Sequence, residues 1–233
     1  MPTRADALAV MAKAPIAGEV KTRLVPPLTQ EQAADLYRAL LLDQLKHLQG
    51  FPTADRYLVY TPEDSAPLMK RLAPPNFHCL AQRGGDLGER MNAAFIDLWR
   101  RGHRNVMLVG SDLPALPLTI LETAFDLLAA SAGQVVLGPS RDGGYYLVGM
   151  NRPTSEIFED MSWGDDQVLR VTLEKLSALG IKPALLPEWF DIDRVEDLNR
   201  LEVLSKPAER AALKRTLSYL KELWPPDGFK SRP

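Results

Sequence analysis

The chain of 233 residues contains one cysteine, Cys79, so it can form no internal disulfide and no cysteine-rich zinc site. No stretch approaches the ~20 apolar residues that a membrane-spanning helix needs. Its three histidines, His47, His78 and His103, are scattered without ligand spacing. There is no HExxH, no GxSxG and no cysteine with a matching histidine motif, which sets aside the common zinc-protease, serine-hydrolase and cysteine-nucleophile readings. Charge of one sign is not in excess: 28 Lys and Arg against 30 Asp and Glu give a net charge of −2, which argues against a broad basic face for nucleic acid. Internal repeats and low-complexity blocks are also missing. The apolar stretch 7–12 is too short for the core of a signal peptide, so a soluble, cytoplasmic protein with no membrane span is expected.

What is present is ordinary for a folded chain: 45% hydrophobic and 25% charged residues. At about 150 residues per domain, one domain is expected, over residues 1–224. A chain of this size buries roughly 70% of its unfolded surface and needs no staples. The segment 225–233, rich in Pro and Gly, is expected to be a flexible tail.

Strand and helix patterns alternate along the chain. Short apolar runs predict strands at 7–11, 56–60, 77–81, 106–109, 135–137 and 145–148, with a last candidate at 183–186. Between them, helical spacing is read at 33–48 behind a Thr29-x-x-Gln32 capping box, from Asp64 as cap to 72, and at 87–101, 118–130 and 165–179. Two helices follow, at about 195–204 and 208–223. This order predicts an α/β fold with a mostly parallel sheet covered by helices on both faces. The link between 137 and 145 is too short for a crossover helix, so an antiparallel pair is expected there and the sheet is mixed. Such sheets bind ligands beyond the carboxyl ends of their strands.

Four segments after strands carry candidate chemistry. The first strand runs into Lys13-Ala14-Pro15-Ile16-Ala17-Gly18-Glu19-Val20-Lys21-Thr22-Arg23, a loop whose cations and N–H groups suit a phosphate chain, or which is a solvated basic loop. It lacks the Gly-Lys-Ser/Thr adjacency of a P-loop. The fourth strand ends in Gly110-Ser111-Asp112-Leu113-Pro114. Asp112 is placed to hold Mg²⁺ or Mn²⁺ against phosphate oxygens, or to cap a turn. Ser140-Arg141-Asp142-Gly143-Gly144 permits close backbone approach to a ligand, but on its own the Asp-Gly pair favours a plain hairpin turn. In Asp191-Ile192-Asp193 the two carboxylates share a side if the segment is extended. Either is a candidate metal ligand, while Asp193 also suits a helix cap. A Gly-rich loop, Gln82-Arg83-Gly84-Gly85-Asp86, opens one helix. Trp163 is either a stacking surface or a buried side chain.

The order of these segments resembles the GT-A-type nucleotide-diphospho-sugar transferase superfamily. The residues that carry the likeness are Met11-Ala12-Lys13-Ala14-Pro15, Gly18, Lys21-Thr22-Arg23-Leu24, Gly85-Asp86-Leu87-Gly88-Glu89-Arg90-Met91, Gly110-Ser111-Asp112-Leu113-Pro114, Asp142-Gly143-Gly144-Tyr145-Tyr146 and Trp163. The match resembles most a bacterial family of uncharacterised GT-A glycosyltransferases, some members of which are connected with arsenosugar biosynthesis. It spans about residues 7–200. The first loop also resembles that of phospholactate guanylyltransferases, and Asp191-Ile192-Asp193 resembles the end motif of molybdenum-cofactor nucleotidyltransferases. The loop lacks the Gly-x-Gly run of sugar-nucleotide pyrophosphorylases.

The resemblance implies a GT-A-like, Rossmann-like single domain and the following roles. Lys13, Lys21 and Arg23 would hold nucleotide phosphates, with Ser111, Gln82 and Gly85 also on the nucleotide side. Asp112 would be the main metal carboxylate and a catalytic residue, with Asp191 or Asp193 completing a Mg²⁺ or Mn²⁺ site. Asp142 would be the second catalytic residue, and Gly143, Gly144 and Trp163 would line the acceptor side. The implied partners are a nucleotide or nucleotide sugar and a small-molecule acceptor. The expected activity is metal-dependent glycosyl transfer from a nucleotide-diphosphate sugar. The alternatives are nucleotidyl transfer to a phosphorylated acceptor with release of pyrophosphate, and a catalytically silent nucleotide-binding domain.

Overall fold

The structure, a computed structural model, describes residues 4–204 and 206–224. The expected tail, 225–233, lies outside them. Contacts divide the chain into two compact units. The first comprises the residues up to Ala14, Gln49–Ser111 and Leu116–Phe190. The second comprises Pro15–Leu48, Asp112–Ala115 and the residues from Asp191 onward.

The first unit holds a sheet of seven strands among the described residues: β1 Asp6–Lys13, β2 Asp55–Thr61, β3 Phe77–Ala81, β4 Asn105–Val109, β5 Val135–Pro139, β6 Tyr145–Met150 and β7 Ala184–Leu185. Their order is β3-β2-β1-β4-β6-β5-β7. Strands β3, β2, β1 and β4 run parallel, as does β7 against β5, while β6 is antiparallel to both β4 and β5. The sheet is therefore mixed and mostly parallel, with the reversal at the short link predicted for it. The central strand β1 is apolar on both sides because both are covered: Ala7, Leu8, Ala9 and Val10 have no exposed surface. Its Ala9 stands in register with Tyr57 and with Leu108.

Alternation then assigns the faces. Ala9, Val59, Leu108, Leu137 and Val148 join Phe95 and Leu98 of α3 (Leu87–Arg100) and Leu176 of α5 (Val168–Ala178) in one core. On the other face α4 (Leu118–Ala130) lies over β4, β5 and β6, close enough that a Cβ on Gly149 would stand 3.1 Å from Leu128. The short helix α2 (Ala66–Leu72) packs on β2 and β3. Its N-cap is Ser65, with no side-chain cap bond, rather than the Asp64 anticipated from the sequence. Helix α5 begins at Val168 rather than at 165, because Asp165 and Asp166 are spent in the turn before it: Asp165 accepts from the Gln167 amide at 3.1 Å.

In the second unit, α1 (Gln30–Leu48) opens with the predicted capping box. Thr29 and Gln32 exchange backbone-to-side-chain bonds of 2.9 and 3.2 Å. Helix α6 covers Val195–Val203, but the single helix expected at 208–223 is two, α7 (Pro207–Ala212) and α8 (Lys214–Leu223). The break has a cause on α1. Buried Asp43 accepts from the amides of Arg215 (3.2 Å) and Thr216 (2.8 Å) and from the Thr216 hydroxyl (2.9 Å), so it caps a fresh helix start. Among the described residues no helix is long and apolar enough to cross a membrane.

Candidate functional site

The basic loop after β1 is a built structure and not a solvated strand of charges. Val20 packs with Ala34 and Tyr37 of α1, and Leu24, fully buried, anchors a 3₁₀ turn over Thr22–Leu24. Between these anchors Lys21 takes a left-handed backbone with φ 49°. That conformation costs a non-glycine residue about 1 kcal/mol and is found where the surroundings impose it.

Its side chain is almost fully buried, 6% exposed, and its ammonium donates to Asp112 Oδ2. The same Nζ lies 3.7 Å from Asp193 Oδ1 and 6.0 Å from the ring centre of Tyr37. The other oxygen of Asp193 accepts from Arg23 at 2.6 Å. Burial by itself lowers the pKa of the Lys21 ammonium. Asp112, by charge and hydrogen bond, with Asp193 and Asp191 by charge, outweighs it, and the net displacement is upward. Lys21 is therefore charged at neutral pH, and the three carboxylates act on one point.

Local structure aims both aspartates. Asp112 and Leu113 are tied within the second unit, where the Asp112 carbonyl accepts from Ile192 N at 3.3 Å and Leu113 N donates to Gln44 of α1 at 3.4 Å. Of the sequence alternatives for Asp193, the helix-cap role falls to Asp197, which accepts from the amides of Asp193 (3.0 Å) and Arg194 (2.7 Å). The Asp193 carboxylate is left to the cations. Lys21, Arg23, Asp112 and Asp193, 172 residues apart at the extremes, are thus one cluster. Among the described residues no three acidic, His or Cys side chains converge as a ready-made metal site.

The other candidates lie in the first unit. Lys13 is the exposed last residue of β1, and Ser111, buried, closes the segment after β4. Gln82 uses its amide nitrogen on the carbonyls of Ala12 (3.2 Å) and Val59 (2.8 Å), fastening three strand ends. Gly85 N donates to Glu89 Oε2 at 2.7 Å, and Asp86 caps α3 by accepting from Glu89 N at 2.8 Å. Asp142 accepts from the Ser140 hydroxyl and, at 3.1 Å, from Gly144 N, so its carboxylate holds the turn. Gly143, at φ +87°, meets the backbone of Asp166, and its carbonyl accepts from Leu169 N at 2.8 Å. Trp163 packs on Gly88 at the start of α3, where a Cβ would stand 2.7 Å from the indole.

The sequence pattern of a bacterial family described as "uncharacterized protein conserved in bacteria" (DUF2064) matches residues 44–165, slightly more than half of the chain. The chain belongs to this family. The matched span includes Asp112 and Asp142, whereas Lys21, Arg23 and Asp193 of this DUF2064 member fall outside it. No curated protein matches the chain.

Among solved structures, a candidate nucleotide-diphospho-sugar transferase from Desulfovibrio desulfuricans G20 is similar over 94% of this chain and 98% of its own, at 31% identity and a TM-score of 0.84. A cytidylyltransferase from Leptospira borgpetersenii serovar Hardjo-bovis (strain JB197) shares the fold over 99% of both chains, at 13% identity and a TM-score of 0.59. A Mycobacterium tuberculosis H37Rv protein solved as a manganese complex shares it over 85% of this chain and 98% of its own, at 15% identity and a TM-score of 0.50. This DUF2064 chain thus has the nucleotide-diphospho-sugar transferase fold.

Two contributors escaped the sequence reading. Tyr37 was legible only as one more apolar position of α1, and Gln44 only as a polar one.

Proposed function

We propose that this chain is a transferase acting on a nucleotide-diphosphate donor. In its specific form it is a glycosyltransferase that uses a nucleotide-diphosphate sugar with Mg²⁺ or Mn²⁺ and passes the sugar to a small-molecule acceptor. The observation that carries the reading is the meeting of Lys21 and Arg23 with Asp112 and Asp193 in one partly buried cluster. The resemblance to the Desulfovibrio protein supports the donor class, and the Mycobacterium protein bound to manganese supports the choice of ion.

A diphosphate cannot approach carboxylates unless cations stand between them. Arg23, half exposed, offers a planar fork to phosphate oxygens, and Lys21 offers a point charge. Asp112 and Asp193 fit a hard divalent ion: both are oxygen donors, and both already face one positive group. Two protein carboxylates with substrate phosphates completing the shell is the common arrangement for Mg²⁺, so a third protein ligand is not required. When bound, such an ion would neutralise charge developing on the leaving diphosphate. The chain's own part is positioning: the clamped loop, the Asp112–Ile192 tie and the Asp197 cap hold the backbone that carries these charges.

The test is thermal melting of the full chain with Mn²⁺ plus nucleoside triphosphates, diphosphates or nucleotide sugars. A donor at 100 times its Kd adds about 2.7 kcal/mol, roughly 5–10 °C for a protein of this size. The largest shift is expected with a nucleotide sugar. Asp112→Asn is expected to lose most of it while still melting cooperatively. Pyrophosphate released from a triphosphate would instead establish nucleotidyl transfer, which uses the same charges on another bond. No shift with any nucleotide would overturn both.

A further inference from the structure

The cluster already contains a cation where the proposed function needs another one. The Lys21 ammonium lies against Asp112 and 3.7 Å from Asp193, with 6% of its side chain exposed. A divalent ion binding these two carboxylates would have to occupy the same space. Two like charges cannot share it, because repulsion at contact distance in a partly buried site is several-fold stronger than in bulk water. Metal entry therefore requires the ammonium to leave.

Formal charge gives the same answer. Asp112, Asp191 and Asp193 carry −3 and Lys21 and Arg23 carry +2, so the cluster stands at −1. With Lys21 withdrawn it stands at −2, which one divalent ion neutralises. A buried ammonium does not leave without a new anion to meet it, and a diphosphate is such an anion.

We propose that Lys21 is the resident counter-ion of this site and competes directly with the divalent metal for Asp112 and Asp193, so that metal binds well only when a diphosphate draws the ammonium away. This rests on the metal-dependent reading above and adds an order of events to it. Metal and donor bind with positive coupling, and the coupling is reciprocal. A lysine that served only to hold phosphate would have no effect on metal binding in the absence of nucleotide.

The experiment is a Mn²⁺ titration of the full chain without nucleotide, read by the electron paramagnetic resonance signal of free Mn²⁺, on the wild type and on Lys21→Met, Lys21→Gln and Lys21→Arg. Cooperative melting identifies which variants are folded, and the glutamine form stands in if the methionine form is not. The neutral variants are expected to bind Mn²⁺ about 10-fold more tightly than the wild type, the ordinary size of a coupling between sites. Lys21→Arg, which keeps the charge, is expected to stay near the wild type, and adding Asp112→Asn to Lys21→Met should abolish the gain. Equal or weaker Mn²⁺ binding in the neutral variants overturns the competition and leaves the metal reading standing. No Mn²⁺ binding to any form, with or without a nucleoside diphosphate, overturns the metal reading and the competition with it.

Discussion

At the scale of single residues, the positions that matter are those where conformation or charge leaves no choice. Gly143 is the clearest conformational case. A Cβ there would lie 1.9 Å from the Asp166 carbonyl oxygen, on a backbone at φ +87° that side chains rarely adopt. Gly143→Ala is expected to cost about 2 kcal/mol or more, seen as a lowered melting temperature. The neighbouring Asp142 illustrates what sequence could and could not convey. The Asp-Gly-Gly string announced a tight turn, and the turn is there. That the carboxylate spends itself on Ser140 and Gly144 could not be read from the string, because a hairpin and a ligand-binding turn use the same three residues. Asp193 is the opposite case: two residues on the same helix start could cap it, and only folded geometry gives the cap to Asp197 and frees Asp193.

At the scale of elements, local signals did well where one residue and its near neighbours decide the outcome. The capping box of α1 and the reversal between β5 and β6 were both legible, since each rests on contacts a few residues apart. The division between α7 and α8 was not. It depends on Asp43, 172 residues from Arg215 in sequence, and nothing near residue 213 announces that a carboxylate will arrive. Asp43→Ala would leave the Thr216 amide and hydroxyl buried without their acceptor. The expected loss is about 1–3 kcal/mol, concentrated in α8, and amide hydrogen exchange should show that helix opening before α1.

At the scale of the whole molecule, burial of ionisable groups makes the fold sensitive to alkali. Burial pushes the phenol pKa of Tyr57, Tyr145 and Tyr146 above the ordinary 10.0. In the folded chain they stay neutral where unfolded tyrosine ionises. Their contribution is fully present below pH 10 and is lost as pH rises beyond it, so stability is expected to fall from about pH 10 upward and be flat with respect to these groups at neutral pH. A pH series of denaturant midpoints followed by circular dichroism checks the direction. The candidate cluster was legible in outline at this scale, because cations after one strand and acids after others must meet if all strand ends share one edge. The pairing of Lys21 with the very carboxylates expected to hold metal was not legible, since sequence orders charges but does not say which of them touch.

The second unit is stitched from three separated stretches, one of them only the four residues Asp112–Ala115. During synthesis, all seven described strands have been made before Asp193 exists, while Lys21 and Arg23 were made just after the first of them. A growing polypeptide therefore cannot hold the finished acid–base cluster until Asp193 has been added. A product that ends between Leu185 and Asp193 has all seven described strands but not this cluster.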